Sequence, residues 1–278
     1  MFYYTALSIA GSDCSGGAGI QADIKTMSAL GVYAASAITS VTVQNTTGVE
    51  SSYPIDSYTI ERQIHAVMSD IRPMAIKTGM MGNKATVEAV VRALSVFYHG
   101  NLVVDPVMVS TSGSILLDND AIETLCEKLL PMANIVTPNI HEAEILAGMK
   151  ITNIDDMKMA ARHIMKYGCK AVLVKGGHID GDNKCDILVE RRQDGIYEEH
   201  EYNGITIDSK NTHGTGCTLS SAIAAYLAQG TGIEESVKKA KEYVSAAIAA
   251  GADVCIGKGH GPVNHFFNPI KMKKINNK

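Results

Sequence analysis

Asn211-Thr212-His213-Gly214-Thr215-Gly216-Cys217-Thr218 runs straight into Leu219-Ser220-Ser221-Ala222-Ile223-Ala224-Ala225-Tyr226-Leu227-Ala228. The first part is small and polar, and its two glycines can take backbone angles that other residues avoid. The second part is alanine and leucine rich, with an apolar stripe at Leu219, Ile223, Ala224 and Leu227 that predicts a helix. A glycine turn at a helix N-terminus leaves the first N–H groups without intrahelical partners, where the helix dipole favours negative charge. Gly214, Thr215, Gly216 and Cys217 therefore read as an anion hole, and a cysteine in that first turn is expected to have a lowered pKa. Taken alone, the same turn serves equally well as a structural cap. Its meaning depends on what the chain places beside it.

Toward the N-terminus the alternation is regular. Apolar strands are predicted at 5–10, 35–43, 74–77, 102–107, 135–139 and 171–175, and helices at 20–30, 58–70, 83–98, 118–130 and 155–167. Ser57 is the expected cap of the second helix. Short strands alternating with longer helices imply βαβ units and a mostly parallel sheet. Over 186–208 the pattern changes to shorter strands at 187–191, 196–200 and 206–208, expected to be antiparallel. After the organising turn come a long helix over 233–253 and a polar, basic tail over 269–278, expected to fray. No linker divides the chain, so the expectation is one α/β domain over 1–268, doubly wound, with helices on both faces.

Composition narrows the function classes. The chain has 278 residues, 46% hydrophobic and 19% charged, with a formal charge of −4 and no basic block, which argues against a nucleic-acid partner. No apolar run reaches membrane-spanning length. The N-terminus lacks a basic leader, and the six cysteines show no CxxC. These features point to the cytoplasm and away from a disulfide framework.

The stretch Gly11-Ser12-Asp13-Cys14-Ser15-Gly16-Gly17-Ala18-Gly19 follows the first strand and precedes a helix. Its spacing fits neither GxGxxG nor GxxxxGK[ST], so neither a dinucleotide fingerprint nor a P-loop is assigned. It either approaches a ligand through bare backbone N–H groups or is a tight connection. Ligands of open α/β sheets bind beyond the C-terminal strand ends. The polar residues there are Gln44, Lys77, Asp105, Asn139, Glu142, Lys175 and the turn 214–217. Two acids, two lysines and an anion hole on one edge suggest phosphoryl transfer, with the acids orienting Mg²⁺ through water. Each residue also has a bland reading. Asp105 could cap a turn before Pro106, Glu142 could be a favoured first-turn acid, and Lys175 could snorkel from a strand end.

At this point the chain resembles the hydroxymethylpyrimidine/phosphomethylpyrimidine kinases of thiamine biosynthesis, within the ribokinase-like superfamily. The resemblance spans about residues 5 to 267. It is carried by Ala10-Gly11-Ser12-Asp13 with 15–23, Gln44-Asn45-Thr46, Lys77-Thr78-Gly79-Met80 and Asp105-Pro106-Val107-Met108. Further along it rests on Thr137-Pro138-Asn139 with Glu142-Ala143, Val174-Lys175-Gly176-Gly177-His178, the 211–218 turn and Gly257-Lys258-Gly259-His260-Gly261-Pro262-Val263. It implies ATP- and Mg²⁺-dependent phosphorylation of 4-amino-5-hydroxymethyl-2-methylpyrimidine, then of its monophosphate. It also implies a homodimer and a ribokinase-like fold without a separate lid domain.

The resemblance places the ring against Gln44 and Asp23, with Gly11, Ala18, Met80 and Val107 lining the pocket. Asn139 and Glu142 would serve Mg²⁺ and the phosphates, with Asp105 near the metal. Lys175, Thr212, Gly214 and Gly216 would face the nucleotide, and Cys217 would stand where most of the superfamily has an aspartate base. Closure would fall to loops at 111–117 or 176–184. Pyridoxal kinase, whose substrate also carries a hydroxymethyl group, and a non-catalytic metabolite-binding protein are the alternatives.

Overall fold

The computed structural model describes residues 1–97, 100–109, 116–177, 184–192, 194–204 and 206–276. The chain opens on β1 (Phe2–Tyr3) and β2 (Thr5–Asp13), the latter buried at every position except the partly buried Ser12. Such a strand shows no polar alternation because helices cover both of its faces. Next come α1 (Gly19–Ala29), β3 (Tyr33–Asn45), β4 (Gly48–Pro54), α2 (Ser57–Asp70), β5 (Ala75–Thr78), α3 (Lys84–Phe97) and β6 (Asn101–Val104). They are followed by α4 (Asn119–Thr124), β7 (Ile135–Val136), α5 (Ile140–Ala147), α6 (Ile154–Ile164), β8 (Ala171–Val174), β9 (Lys184–Arg191) and β10 (Tyr197–Gly204). The last elements are α7 (Thr215–Ala228), α8 (Ile233–Ala249) and β11 (Lys274–Ile275).

Among the described residues, nine strands form one sheet in the order β10-β9-β8-β7-β6-β5-β2-β3-β4. The inner strands from β8 across to β3 are parallel, and β4, β9 and β10 add to the edges antiparallel. The chain moves from β2 to β3 on one side, then crosses to β5 on the other. The crevice of this doubly wound sheet therefore opens at the C-terminal ends of β2 and β5.

Alternate residues of each strand feed two cores. Leu102 and Val104 of β6 join Ile60, Ile64, Val90 and Leu94 on one face, while Val103 joins Met27, Ile223 and Val237 on the other. The first face is covered by α2, α3 and α6, the second by α1, α7 and α8. This is the ribokinase-like α/β architecture expected from the sequence.

Several local expectations change. Residues 35–43 are not a fully buried strand: β3 is longer, and Val41 and Val43 are 42% and 41% exposed where it pairs with the edge strand β4. The Ser- and Glu-bearing sequence of β4 has no apolar run to announce it. The cap of α2 is Asp56, whose carboxylate accepts from Thr59 N at 2.9 Å, rather than Ser57. The helix expected at 118–130 passes from α4 into a π turn, Leu125–Leu129, and a 3-10 turn, Leu130–Met132, because Pro131 has no N–H for a continuing ladder. Residues 206–208 join no ladder, and α8 stops at Ala249.

The described part of the tail, residues 269–276, is tied down rather than frayed. β11 pairs with β1, Ile270 N donates to Ala29 O at 2.9 Å, and Lys273 N donates to Gly31 O at 2.8 Å. Of the two expected closing loops, residues 111–115 and 178–183 lie outside the described residues. Leu102→Ala, at a fully buried position of β6, should cost about 2–5 kcal/mol of stability, read from urea denaturation midpoints at constant m-value.

Candidate active site

Two glycine turns meet at the C-terminal edge of the sheet. Gly214 caps α7 with φ 80°, a left-handed conformation that favours glycine. A Cβ at Gly214 would lie 1.8 Å from Gly17 O, so the same residue also permits the β2–α1 loop to press against the turn. The Gly19 N–H, at the start of α1, acts on the Cys217 sulfur in the first turn of α7 and favours its thiolate. The sulfur thus faces two helix N-termini.

Even so, the expected low pKa is not found. Burial pushes the Cys217 thiol up to about 11; the Lys77 ammonium and the Gly19 N–H oppose this, while Asp23 and Asp105 add to it. Desolvation outweighs the helix ends, so the resting residue is a thiol.

Beside this turn stand the two acids and a lysine. Asp105, just after β6, is 2% exposed, and its Oδ1 lies 3.1 Å from Lys175 Nζ. Ser220 Oγ of α7 donates to the other oxygen at 3.1 Å. Burial would raise the Asp105 pKa, but Lys175 and Lys77 more than offset it and hold it below the usual carboxylate range.

Lys175 does not snorkel outward. A Cβ on Gly216 would meet its Nζ at 3.5 Å, which places the ammonium over the first turn of α7. Glu142 forms a capping box with Asn139: Glu142 N donates to Asn139 Oδ1 at 2.9 Å, and Asn139 N donates to Glu142 Oε2 at 2.8 Å. Burial, aided by Asp105 and opposed by Lys175, pushes Glu142 up to about 7. Asp105, Glu142, Lys175 and the 214–217 turn are therefore one constellation, with cation, acids and free N–H groups on the same edge.

Asp23 departs from its expected place at the substrate. It is fully buried and forms an ion pair with the equally buried Lys77, 2.9 Å and 2.8 Å from its two oxygens. Ser8 Oγ and Ser221 Oγ donate to the same carboxylate at 2.5 Å each. With both oxygens occupied and no exposed surface, Asp23 belongs to the floor beneath the site. Burial alone would lower the Lys77 pKa, but Asp23, Cys217 and Asp105 raise it, so the ammonium stays charged.

On the other side of the edge lie the residues expected to receive the ring. A Cβ on Gly11 would be 3.2 Å from Met80 Sδ, so these two adjoin. The Gln44 amide lies 2.9 Å from Thr42 Oγ1 and 3.4 Å from His213 Nε2. Val107 is half-buried two residues after Asp105, to whose carbonyl its N–H donates at 2.9 Å. The Thr212 carbonyl accepts from Thr215 N at 3.3 Å, inside the turn.

The Ala18 N–H is not available to a ligand, because it donates to Asp13 Oδ2 at 2.8 Å. Asp13 also accepts from Gly17 N and from Ser15 N and Oγ. The glycine loop is thus an anion nest filled by its own carboxylate, which explains why it is no phosphate cradle. Asp13 and His213, 3.0 Å apart, carry no individual role in the sequence reading. An acid opening a glycine-rich loop was the one available signal. The hairpin tip after Gln44 is docked as well: Thr46 Oγ1 accepts from Lys258 N at 3.2 Å and Gly259 N at 3.1 Å.

Two outcomes follow from these buried charges. Lys77→Met should cost about 3–5 kcal/mol in urea denaturation by stranding the Asp23 charge, and Lys77→Met with Asp23→Leu should recover most of it. Asp13 is held down at about 2: burial would raise it, but His213, Ser15 and Ala18 bind the ionised form. Its folded pKa lies below its unfolded value of 3.8. It therefore contributes stability above pH 4 that is lost as pH falls toward 2, about 2 kcal/mol in all. Asp13→Asn should flatten that part of an acid-stability profile.

Comparison with known proteins agrees with this geometry. The phosphomethylpyrimidine kinase family profile matches residues 13–264. A hydroxymethylpyrimidine/phosphomethylpyrimidine kinase of Bacillus subtilis is 44% identical over 266 residues, covering 96% of each chain. The crystal structure of a phosphomethylpyrimidine kinase from Clostridium difficile superposes with a TM-score of 0.77 at 46% identity, covering 88% of this chain and 99% of that one. A pyridoxal kinase from Staphylococcus aureus in complex with ADP superposes with a TM-score of 0.87 at 34% identity, covering 98% and 97%. With its motifs in order on the matching fold, this chain belongs to the phosphomethylpyrimidine kinase family.

Proposed function

We propose that this chain transfers the γ-phosphoryl group of ATP to the hydroxymethyl of 4-amino-5-hydroxymethyl-2-methylpyrimidine, and then phosphorylates the monophosphate to the diphosphate used for thiamine diphosphate. The observation that carries the reading is the convergence of Asp105, Glu142 and Lys175 on the α7 N-terminus, across the edge from Gln44, in a chain of this family. Phosphoryl transfer needs positioning and charge stabilisation more than covalent chemistry. Lys175 faces the nucleotide phosphates, together with Thr212 and Asn139. The N–H groups of Gly214, Gly216 and Cys217 hold the transferred group, while that of Thr215 closes the turn on Thr212 O. Gln44 reads the ring, with Gly11, Ala18, Met80 and Val107 around it. The setting that goes with this reading is a cytoplasmic homodimer.

Mg²⁺ is part of the proposal. Among the described residues no three His, Cys, Asp or Glu side chains form a ready-made metal cage. The hard carboxylate oxygens of Asp105 and Glu142 fit an ion held mainly through water and phosphate oxygens, as Mg²⁺ usually is. When bound, it would neutralise phosphate charge.

In this reading Cys217 takes the hydroxyl proton as a thiolate. Burial disfavours that thiolate, so turnover should rise with pH through and beyond neutrality. Cys217→Ala should lower kcat by about 10²–10⁴ and remove the rise. Near-normal kcat in this variant would leave the step to the anion hole alone.

The assay that tests the whole reading offers ATP with the hydroxymethylpyrimidine, its monophosphate and pyridoxal, with products followed by mass. Turnover of both pyrimidines is expected. The close superposition on pyridoxal kinases supports the second reading, and turnover of pyridoxal alone would select it. No turnover of any would favour a non-catalytic metabolite-binding role.

A further inference from the structure

We infer that Asp13 and His213 are positioning residues: they fix which way round the Gln44 amide faces the ring end of the site, and so set its preference for an aminopyrimidine. The inference rests on the proposed kinase reading and adds the device that orients its recognition residue.

His213 Nε2 lies 3.0 Å from Asp13 Oδ2. A bare ring nitrogen cannot sit that close to an ionised carboxylate, so Nε2 carries a proton, whether the ring is neutral or charged. That proton is committed to Asp13. The ring is also confined. A Cβ on Gly17 would lie 2.5 Å from His213 Cδ2, and His213 N donates to Gly261 O at 3.0 Å.

The opposite side of Gln44 is decided by Thr42. Its hydroxyl has one proton but two neighbours at 2.9 Å, Ser12 O and Gln44 Oε1, while Gln44 Nε2 stands 3.4 Å from His213 Nε2. A backbone carbonyl can only accept, whereas an amide can offer either end. If the proton went to Gln44, Ser12 O would lose this partner and the amide NH₂ would face the His213 N–H, donor against donor. With the proton on Ser12 O and the Gln44 amide turned over, Thr42 accepts from the Gln44 NH₂, and the amide oxygen faces the His213 edge. This arrangement keeps Ser12 O partnered and removes the donor–donor contact, leaving the amide oxygen for a ligand.

Gln44 then keeps one N–H and the oxygen lone pairs for a ligand, in a fixed order. An aminopyrimidine edge offers the complement, a ring nitrogen that accepts and an exocyclic amine that donates. A pyridine ring with oxygen in place of the amine lacks that donor. Asp13 and His213 touch neither ring nor phosphate in this scheme; they act through Gln44.

The test joins kinetics to a direct view of the ring. His213→Leu should raise KM for the hydroxymethylpyrimidine about tenfold, a single misplaced hydrogen bond, and leave KM for ATP within about twofold. His213→Gln, which returns an N–H toward Asp13, should restore most of the loss. Imidazole ¹⁵N shifts of the wild-type chain, assigned by the signal missing in His213→Gln, should show Nε2 protonated at neutral pH. Equal KM losses for both substrates, no rescue by Gln, or an unprotonated Nε2 would each overturn the inference. A wild-type chain that ignores the pyrimidine but shows protonated Nε2 would overturn the kinase reading instead.

Discussion

One carboxylate joins four elements of this fold. Asp23, on α1, binds Lys77 of β5, Ser8 of β2 and Ser221 of α7, with no exposed surface on any of the four residues. An ion pair in such a place is costly to form and worse to break, because a lone charge would remain in a medium of low dielectric. The pair lies directly under the sheet's crevice and ties the two helices whose N-termini face that crevice. Its field also reaches upward. The Lys77 ammonium lowers the pKa of Asp105 and opposes the rise at Cys217.

Above that floor the site depends on close backbone approach. Gly17, Gly19 and Gly214 admit contacts that any Cβ would forbid, the tightest being Gly214 against Gly17 O. The N-terminal loop and the late turn, almost two hundred residues apart, are thereby made one surface. Asp13 fills the nest of the first loop, and the Lys175 ammonium stands over the second turn. One anion hole at this edge is thus already occupied by the protein itself.

The architecture was legible in the sequence because burial on both faces leaves continuous apolar strands, and the period of the helices between them is unmistakable. Asp105, Glu142, Lys175 and the 214–217 turn were legible as strand-end chemistry, and the structure brings them together. Asp23 was misplaced because nothing local distinguishes an acid aimed at a substrate from one aimed at Lys77, 54 positions away. The Cys217 pKa was misjudged because the sequence shows the helix N-terminus but not the desolvation that outweighs it.

By itself, then, the sequence determined the alternation of strands and helices, the two glycine turns and the order of the motifs, all consequences of periodicity and local backbone preference. The tertiary structure decided which charges are partners, which are buried and which N–H groups remain free. Those depend on distances between segments remote in the chain and on the loss of water around them. The edge strand β4 and the anchored tail belong to the same class, since each is held by a partner strand and not by its own composition.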